Sequence, residues 1–199
     1  TATITGVTLV LTLNQVVLSQ ELGAVGDQRE RMVGALEFRD DAVDRLDVPV
    51  APARPSEFLR ALVVAAGRYA ADLEAAVDPD AAARDGVVDL TGSLTADADA
   101  VAADLDGAQF GEFDVVSAAL DFDYSRMIFD AKHLRATESD LGADAERALD
   151  RLLDVLELFG PAREHVKTLY FQWELIDLSR AMLASALPAL LVAVCAIAF

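Results

Sequence analysis

Charge is absent from both ends of this chain and crowded into its middle, and that segregation limits the folds open to it. Residues 1–19 and 181–199 contain no Asp, Glu, Lys or Arg, so all 50 charged residues fall between them. A hydrophobic fraction of 54% can accompany a formal net charge of −18 in one chain only on such terms. An uncharged apolar run of about 18 residues is the length that a bilayer-crossing helix needs. The pattern predicts an all-α protein, a helical bundle domain between two transmembrane helices, with the last helix continuing from the domain into the membrane. The expected divisions are a transmembrane helix over 1–22, an acidic soluble helical bundle over 23–165, and an interfacial helix over 166–199 that runs into a second span. A chain that opens on Thr1 and closes at Phe199 inside an apolar run is expected to be a portion of a longer protein.

The two ends differ in kind. The last one, AMLASALPALLVAVCAIAF, follows an aromatic cluster of Tyr170, Phe171 and Trp173 and the cation Arg180. Aromatic anchors and a snorkelling cation are what a membrane interface favours. Pro188 within the run is tolerated in membrane helices. The first end carries Asn14 and Gln15, and Thr5, Thr8 and Thr12 recur at helical spacing to make a polar face. Such a face suits packing against other helices in a bilayer, the alternative being a buried helix of a soluble protein. Arg29 and Arg31 after the first segment, and Arg163, Lys167 and Arg180 before the second, place the middle domain in the cytoplasm by the positive-inside rule. The membrane-proximal charges Glu174, Asp177 and Arg180 would then face water, a pore or a partner helix, or simply anchor the interface.

Between the ends, apolar residues recur with a period of 3.6, and no stretch alternates with a period of two. A first amphipathic helix carries Met32, Leu36, Val43 and Leu46, and a proline-rich linker over 48–55 ends it. Ser56 is the expected N-cap of a helix with Phe58, Leu62, Ala66, Tyr69 and Leu73 inward. Asp78-Pro79 is expected to start the next, with Val87, Leu90, Leu94, Val101 and Leu105 inward. A helix from about 112 to 136 would bury Phe113, Val116, Leu120, Tyr124 and Met127. Another from about 143, carrying Ala145, Leu149, Leu152, Leu156 and Phe159, is expected to stop at Gly160-Pro161. A last helix would start there, and its 39 residues would extend roughly 58 Å.

The charge balance excludes one large class of function. The 34 acidic residues face 16 basic ones, of which fourteen are arginine, whereas nucleic-acid binding wants clustered cations. A dense carboxylate surface with almost no lysine keeps a protein hydrated in molar salt, where charge repulsion is screened within roughly 3 Å. Cys195 is the single cysteine and permits no internal disulfide. No phosphate loop, nucleophile elbow or dinucleotide fingerprint is present. The pair Asp130 and His133 shares a helix face, but a di-metal bundle needs a second such pair. Accordingly no metal, cofactor or catalytic residue is expected. The segment DFDYSRMIFD interleaves Asp123, Arg126 and Asp130 with Phe122, Tyr124 and Phe129. Aromatics around its circumference imply enclosure, so these charges are candidate buried ion pairs, serving bundle register or an ion relay.

A segment FGPAREHVKTLYFQWELIDLSRA entering one apolar run, and TGVTLVLTLNQ within the other, give the chain a resemblance to uncharacterised multi-span membrane proteins of haloarchaea. The resemblance implies a multi-pass protein of a halophilic archaeal cell membrane and brings no catalytic residues. The expected function is non-enzymatic and channel-like or transport-associated, with a helical cytoplasmic domain and homo-oligomers or other membrane helices as partners beside the lipid bilayer. The alternative is a two-span helical-bundle sensor whose signalling module lies beyond the chain.

Overall fold

The computed structural model describes residues 5, 6, 8, 12, 15, 25–109, 111–138 and 141–198, the side chains of 25–28, 31, 187, 190, 191, 193, 194 and 196–198 excepted. Six helices follow one another there: α1 Val25–Leu46, α2 Pro55–Ala76, α3 Arg84–Leu105, α4 Phe113–Asp121, α5 Tyr124–Thr137 and α6 Ala143–Ala198. There is no strand among the described residues, and the protein is all-α. The chain separates into two units, one over Phe38–Tyr170 and one made of Thr1–Glu37 with Phe171–Phe199.

The first unit is a helical bundle with one core. Its inward positions follow the 3.6 period closely in three helices. Phe58, Leu62, Ala66, Tyr69 and Leu73 of α2 are buried, as are Val87, Leu90, Leu94, Val101 and Leu105 of α3 and Ala145, Leu149, Leu152, Leu156 and Phe159 of α6. Each large apolar side chain so enclosed stabilises the fold by roughly 1.5–3 kcal/mol. Helices α2 and α3 lie against each other closely enough that a Cβ on Gly67 would stand 3.4 Å from the Ala98 methyl.

Helix boundaries depart from the sequence expectations at four points, each with a local cause. Pro55, not Ser56, opens α2: its fixed φ suits the first helical position, and Ser56 is turned inward and buried. Asp78-Pro79 forms a turn rather than a helix start, because the Asp78 side chain accepts from the Asp80 N–H at 2.9 Å and its carbonyl from Ala81 N–H. Helix α3 begins only at Arg84. The single helix expected over 112–136 is two, parted at Phe122 and Asp123. Asp123 caps α5 by accepting from Arg126 N–H at 3.2 Å. The two short helices face differently, which leaves Val115, Val116 and Met127 buried while Phe113, Leu120 and Phe129 are exposed.

The fourth departure is Gly160-Pro161, which terminates nothing: α6 runs through it from Ala143 to Ala198. Gly160 is there for close approach. A Cβ built on it would lie 3.0 Å from Cε2 and 3.1 Å from Oη of Tyr124. The Tyr124 ring is itself held, with Phe159 at 5.6 Å between centroids and the Arg163 guanidinium 4.8 Å from the ring centre. Phe122 completes the cluster, packed edge-on against Phe159 at 4.8 Å.

Arginines close the helix ends. Arg68 donates to the Leu46 carbonyl at 3.3 Å, and Tyr69 Oη donates to the Arg45 carbonyl at 2.7 Å, covering the C-terminus of α1. Arg84 donates to the carbonyls of Glu74 and Val77 at the end of α2, and Arg60 to Ala102 near the end of α3. Arg39 holds the linker through the carbonyls of Ala51 and Pro52. Helix C-termini leave carbonyls without intrahelical partners, and cations there also meet the negative end of the helix dipole.

Two stability outcomes follow. Gly160→Ala gains about 1 kcal/mol of helix propensity but forces the Tyr124 ring aside, so it should lower stability by about 1–2 kcal/mol net in urea melts followed by circular dichroism. Adding Tyr124→Leu should recover part of the loss. Arg84→Lys keeps the charge but loses the fork that serves the end of α2 with one arm and the Glu74 carboxylate with the other, and should cost about 1 kcal/mol in the same melts.

Candidate functional site

Two groups of polar side chains in the bundle unit have the geometry of a site. The first surrounds Arg126 on α5. Its guanidinium lies 3.2 Å from Asp97, 3.5 Å from Asp123 and 3.4 Å from Asp130. The spacing of Asp123, Arg126 and Asp130 on one helix predicted their meeting; Asp97 on α3, 29 residues away, left no local signal. The expectation of enclosure is corrected: between 40% and 57% of these four side chains is accessible. Phe129, which suggested burial, is 66% exposed and stacks on the ring of His133, itself at the surface. Ion pairs this exposed contribute up to about 1 kcal/mol each, so the hub ties α3 to α5 without the strained electrostatics of a buried relay.

The second group lies where α1 ends beside α2 and α6. A cleft of about 550 Å³ opens there, floored by Arg45 and Tyr69. Arg45 bridges helices by pairing with Asp154 at 3.7 Å as well as with Asp41 at 3.5 Å. Arg68 reaches across the face of Tyr69, 4.8 Å from its centre, and donates to its hydroxyl at 3.1 Å. Asp47 stands at the rim with φ +54, closing α1 in a left-handed turn in which Val48 N–H reaches the Val43 carbonyl. Asp44, Asp72 and Arg151 complete the walls. Sequence reading missed this cleft, since its residues come from three helices and none of them is unusual in its own segment.

On α6, Glu164 hydrogen-bonds to Lys167, and that ammonium, with Arg163 beside it, holds the carboxyl below its ordinary range. A carboxyl lowered in this way favours the fold above its ordinary pKa, and the contribution fades as pH falls through the lowered value.

The membrane-proximal residues fall differently. Tyr170 belongs to the bundle unit and meets the Phe113 ring at 5.9 Å. Phe171 and Trp173 belong to the other unit and are exposed, and there Asp177 pairs with Arg180 at 3.4 Å while Glu174 is exposed. Of the polar face near the start of the chain, Thr5, Thr8, Thr12 and Gln15 are helical and exposed, and Thr12 donates to the Thr8 carbonyl at 2.8 Å. Asn14 lies outside the described residues. Among the described residues no helix is long and apolar enough to cross a membrane, and no three His, Cys, Asp or Glu side chains group to hold a metal ion.

Comparison with known proteins places the chain by sequence. It belongs to a family of unknown function, DUF7972, whose model matches residues 1–199. Neither a curated protein nor a solved structure matches it.

The Arg126 hub gives a direct check on its character. Arg126→Gln should destabilise the bundle by about 1 kcal/mol in low salt and by almost nothing in molar salt, where exposed pairs are screened. A large loss that persists in molar salt would point to an enclosed charge network instead.

Proposed function

We propose that this protein is a non-enzymatic membrane component, channel-like or transport-associated, in which the acidic bundle serves as a cytoplasmic domain. The observation carrying the proposal is the exposure of apolar side chains among the described residues of the second unit. No described side chain of it is buried, and Met32, Leu36, Phe171, Trp173, Ile176, Leu178 and Val192 are all exposed. Soluble proteins rarely leave contiguous apolar surface of this kind open to water, and lipid or other membrane helices would cover it. Support also comes from the uncharged run over 181–199, of which 181–198 lie in α6. The polar threonine face near the start of the chain, with Gln15, is the part that favours a transport role over a plain anchor.

The acidic surface supports a salt-rich setting of the kind haloarchaea provide. Carboxylates outnumber cations by more than two to one, and their hydration survives when long-range attraction is screened. A two-span sensor, its signalling module outside this chain, is the second reading, and the polar cleft between α1, α2 and α6 is what favours it.

Two measurements on the full-length protein separate these readings. Carbonate washing should leave it in the membrane pellet, and its release into the supernatant would sink the membrane proposal. In sealed right-side-out vesicles, a protease site inserted in the 78–83 turn should be protected. Cleavage from outside would remove the cytoplasmic arrangement and favour the sensor.

A further inference from the structure

The cleft between α1, α2 and α6 holds an arrangement of charge that internal pairing does not explain. In a chain with 34 carboxylates and 16 cations, a surface guanidinium finds an acidic partner readily. Most arginines of the bundle do so, through Asp41, Glu57, Asp106, Glu74, Asp97 and others. Among the described residues of the bundle, three form no ion pair: Arg39, Arg68 and Arg151. Arg39 is committed to the carbonyls of Ala51 and Pro52. Arg68 and Arg151 both line the same cleft.

Opposite charge is present on those walls and is not used. Asp44, Asp47 and Asp72 line the cleft too, and none comes within ion-pair distance of either guanidinium. Arg68 is nevertheless fixed, anchored at one nitrogen by the Leu46 carbonyl and the Tyr69 hydroxyl. Tyr69 is buried and is fixed in turn by the Arg45 carbonyl. A guanidinium held this way presents its remaining donors as a preset fork, the geometry that recognises a carboxylate. Asp72 shares the Arg68 face of α2, four residues on, and Asp44 and Asp47 come from the end of α1, so both signs line one cleft of about 550 Å³, a volume ordinary for small-ligand sites.

We infer that this cleft binds a small zwitterion of the amino-acid class, its carboxylate held by Arg68 and Arg151 and its ammonium by Asp72 with Asp44 or Asp47. A plain anion meets three uncompensated carboxylates there, and a plain cation meets two uncompensated guanidinia. Only a ligand carrying both signs satisfies both sets of groups. The inference is independent of the membrane proposal, since every residue it uses lies in the bundle unit.

The test uses the full-length protein at constant ionic strength, with L-alanine as the zwitterion and acetate and ethylammonium as its two halves. Side-chain Nε–Hε resonances of Arg68 and Arg151 report binding by NMR. L-Alanine should shift them saturably, and acetate or ethylammonium at equal concentration should not. Arg151→Ala and Asp72→Asn should each weaken the response at least tenfold while leaving the circular dichroism spectrum unchanged, both residues being at the helix surface. An absence of saturation with L-alanine would overturn the inference. Equal shifts with acetate would also overturn it, marking a simple anion site. An undiminished response in Arg151→Ala would do the same.

Discussion

The bundle depends on a single recurring interaction, the arginine side chain that reaches from one helix to the open carbonyls at the end of another. Helices α1, α2 and α3 finish at Leu46, Ala76 and Leu105, and the residue after each is Asp47, Val77 or Asp106. Past the end of α3 the chain turns at Gly107, φ +74, while α1 turns on Asp47 at φ +54 and no glycine follows α2. Carbonyls in the last turns are also taken by Arg68 and Tyr69, by Arg84, and by Arg60. An unsatisfied carbonyl near the core costs about 1–3 kcal/mol, so these contacts decide where the helices can stop. They also lock neighbours together, because each donor comes from another helix.

That role accounts for the scarcity of lysine better than surface hydration does alone. Arg84 serves the carbonyls of Glu74 and Val77 while its other arm lies 3.6 Å from the Glu74 carboxylate, which in turn accepts from the buried Thr91. Arg60 brings its Nε alone near both the Ala102 carbonyl and the Asp106 carboxylate. An ammonium is a point charge and cannot hold two arms in the fixed geometry that Arg84 uses. The two lysines sit where one carboxylate suffices, Lys132 on Glu157 and Lys167 on Glu164. Hydrogen bonds of this range also survive salt that would screen a longer attraction.

Much of the bundle was legible because α2, α3 and α6 each bury one stripe, and a stripe is what a 3.6 period reports. Legibility failed where tertiary contact overrides a local signature. Gly160-Pro161 carries the spelling of a helix stop, yet the glycine answers to the Tyr124 ring on another helix, and α6 continues. The aromatic-rich segment around Phe122 looked enclosed because two short helices with different inward faces were read as one. At the Arg126 hub, the three residues sharing a helix could be foreseen from their spacing, while Asp97 and the true exposure could not. The cleft was invisible for the same reason: its fixed arginine depends on Tyr69 and on the end of α1, not on its own neighbours.

The two units answer differently to water, and this resolves the opposed signals of composition. In the bundle unit, apolar residues enter one core and charge covers the outside. In the other unit, most described apolar side chains are exposed and none is buried, and Asp177 pairs with Arg180. A stretch that leaves about half of Phe171, Trp173 and Ile176 open to solvent gains less from burial than the bundle does. On the proposed reading an apolar surrounding would cover it, so its stability and that of the bundle should respond to different variables. Salt acts on the bundle, through exposed pairs that it screens and carboxylates whose repulsion it relieves. On the proposed membrane reading, lipid or a helix partner acts on the apolar unit. The segregation of charge along the chain is on that reading a division of labour between two solvents, which reconciles −18 charges with 54% hydrophobic residues.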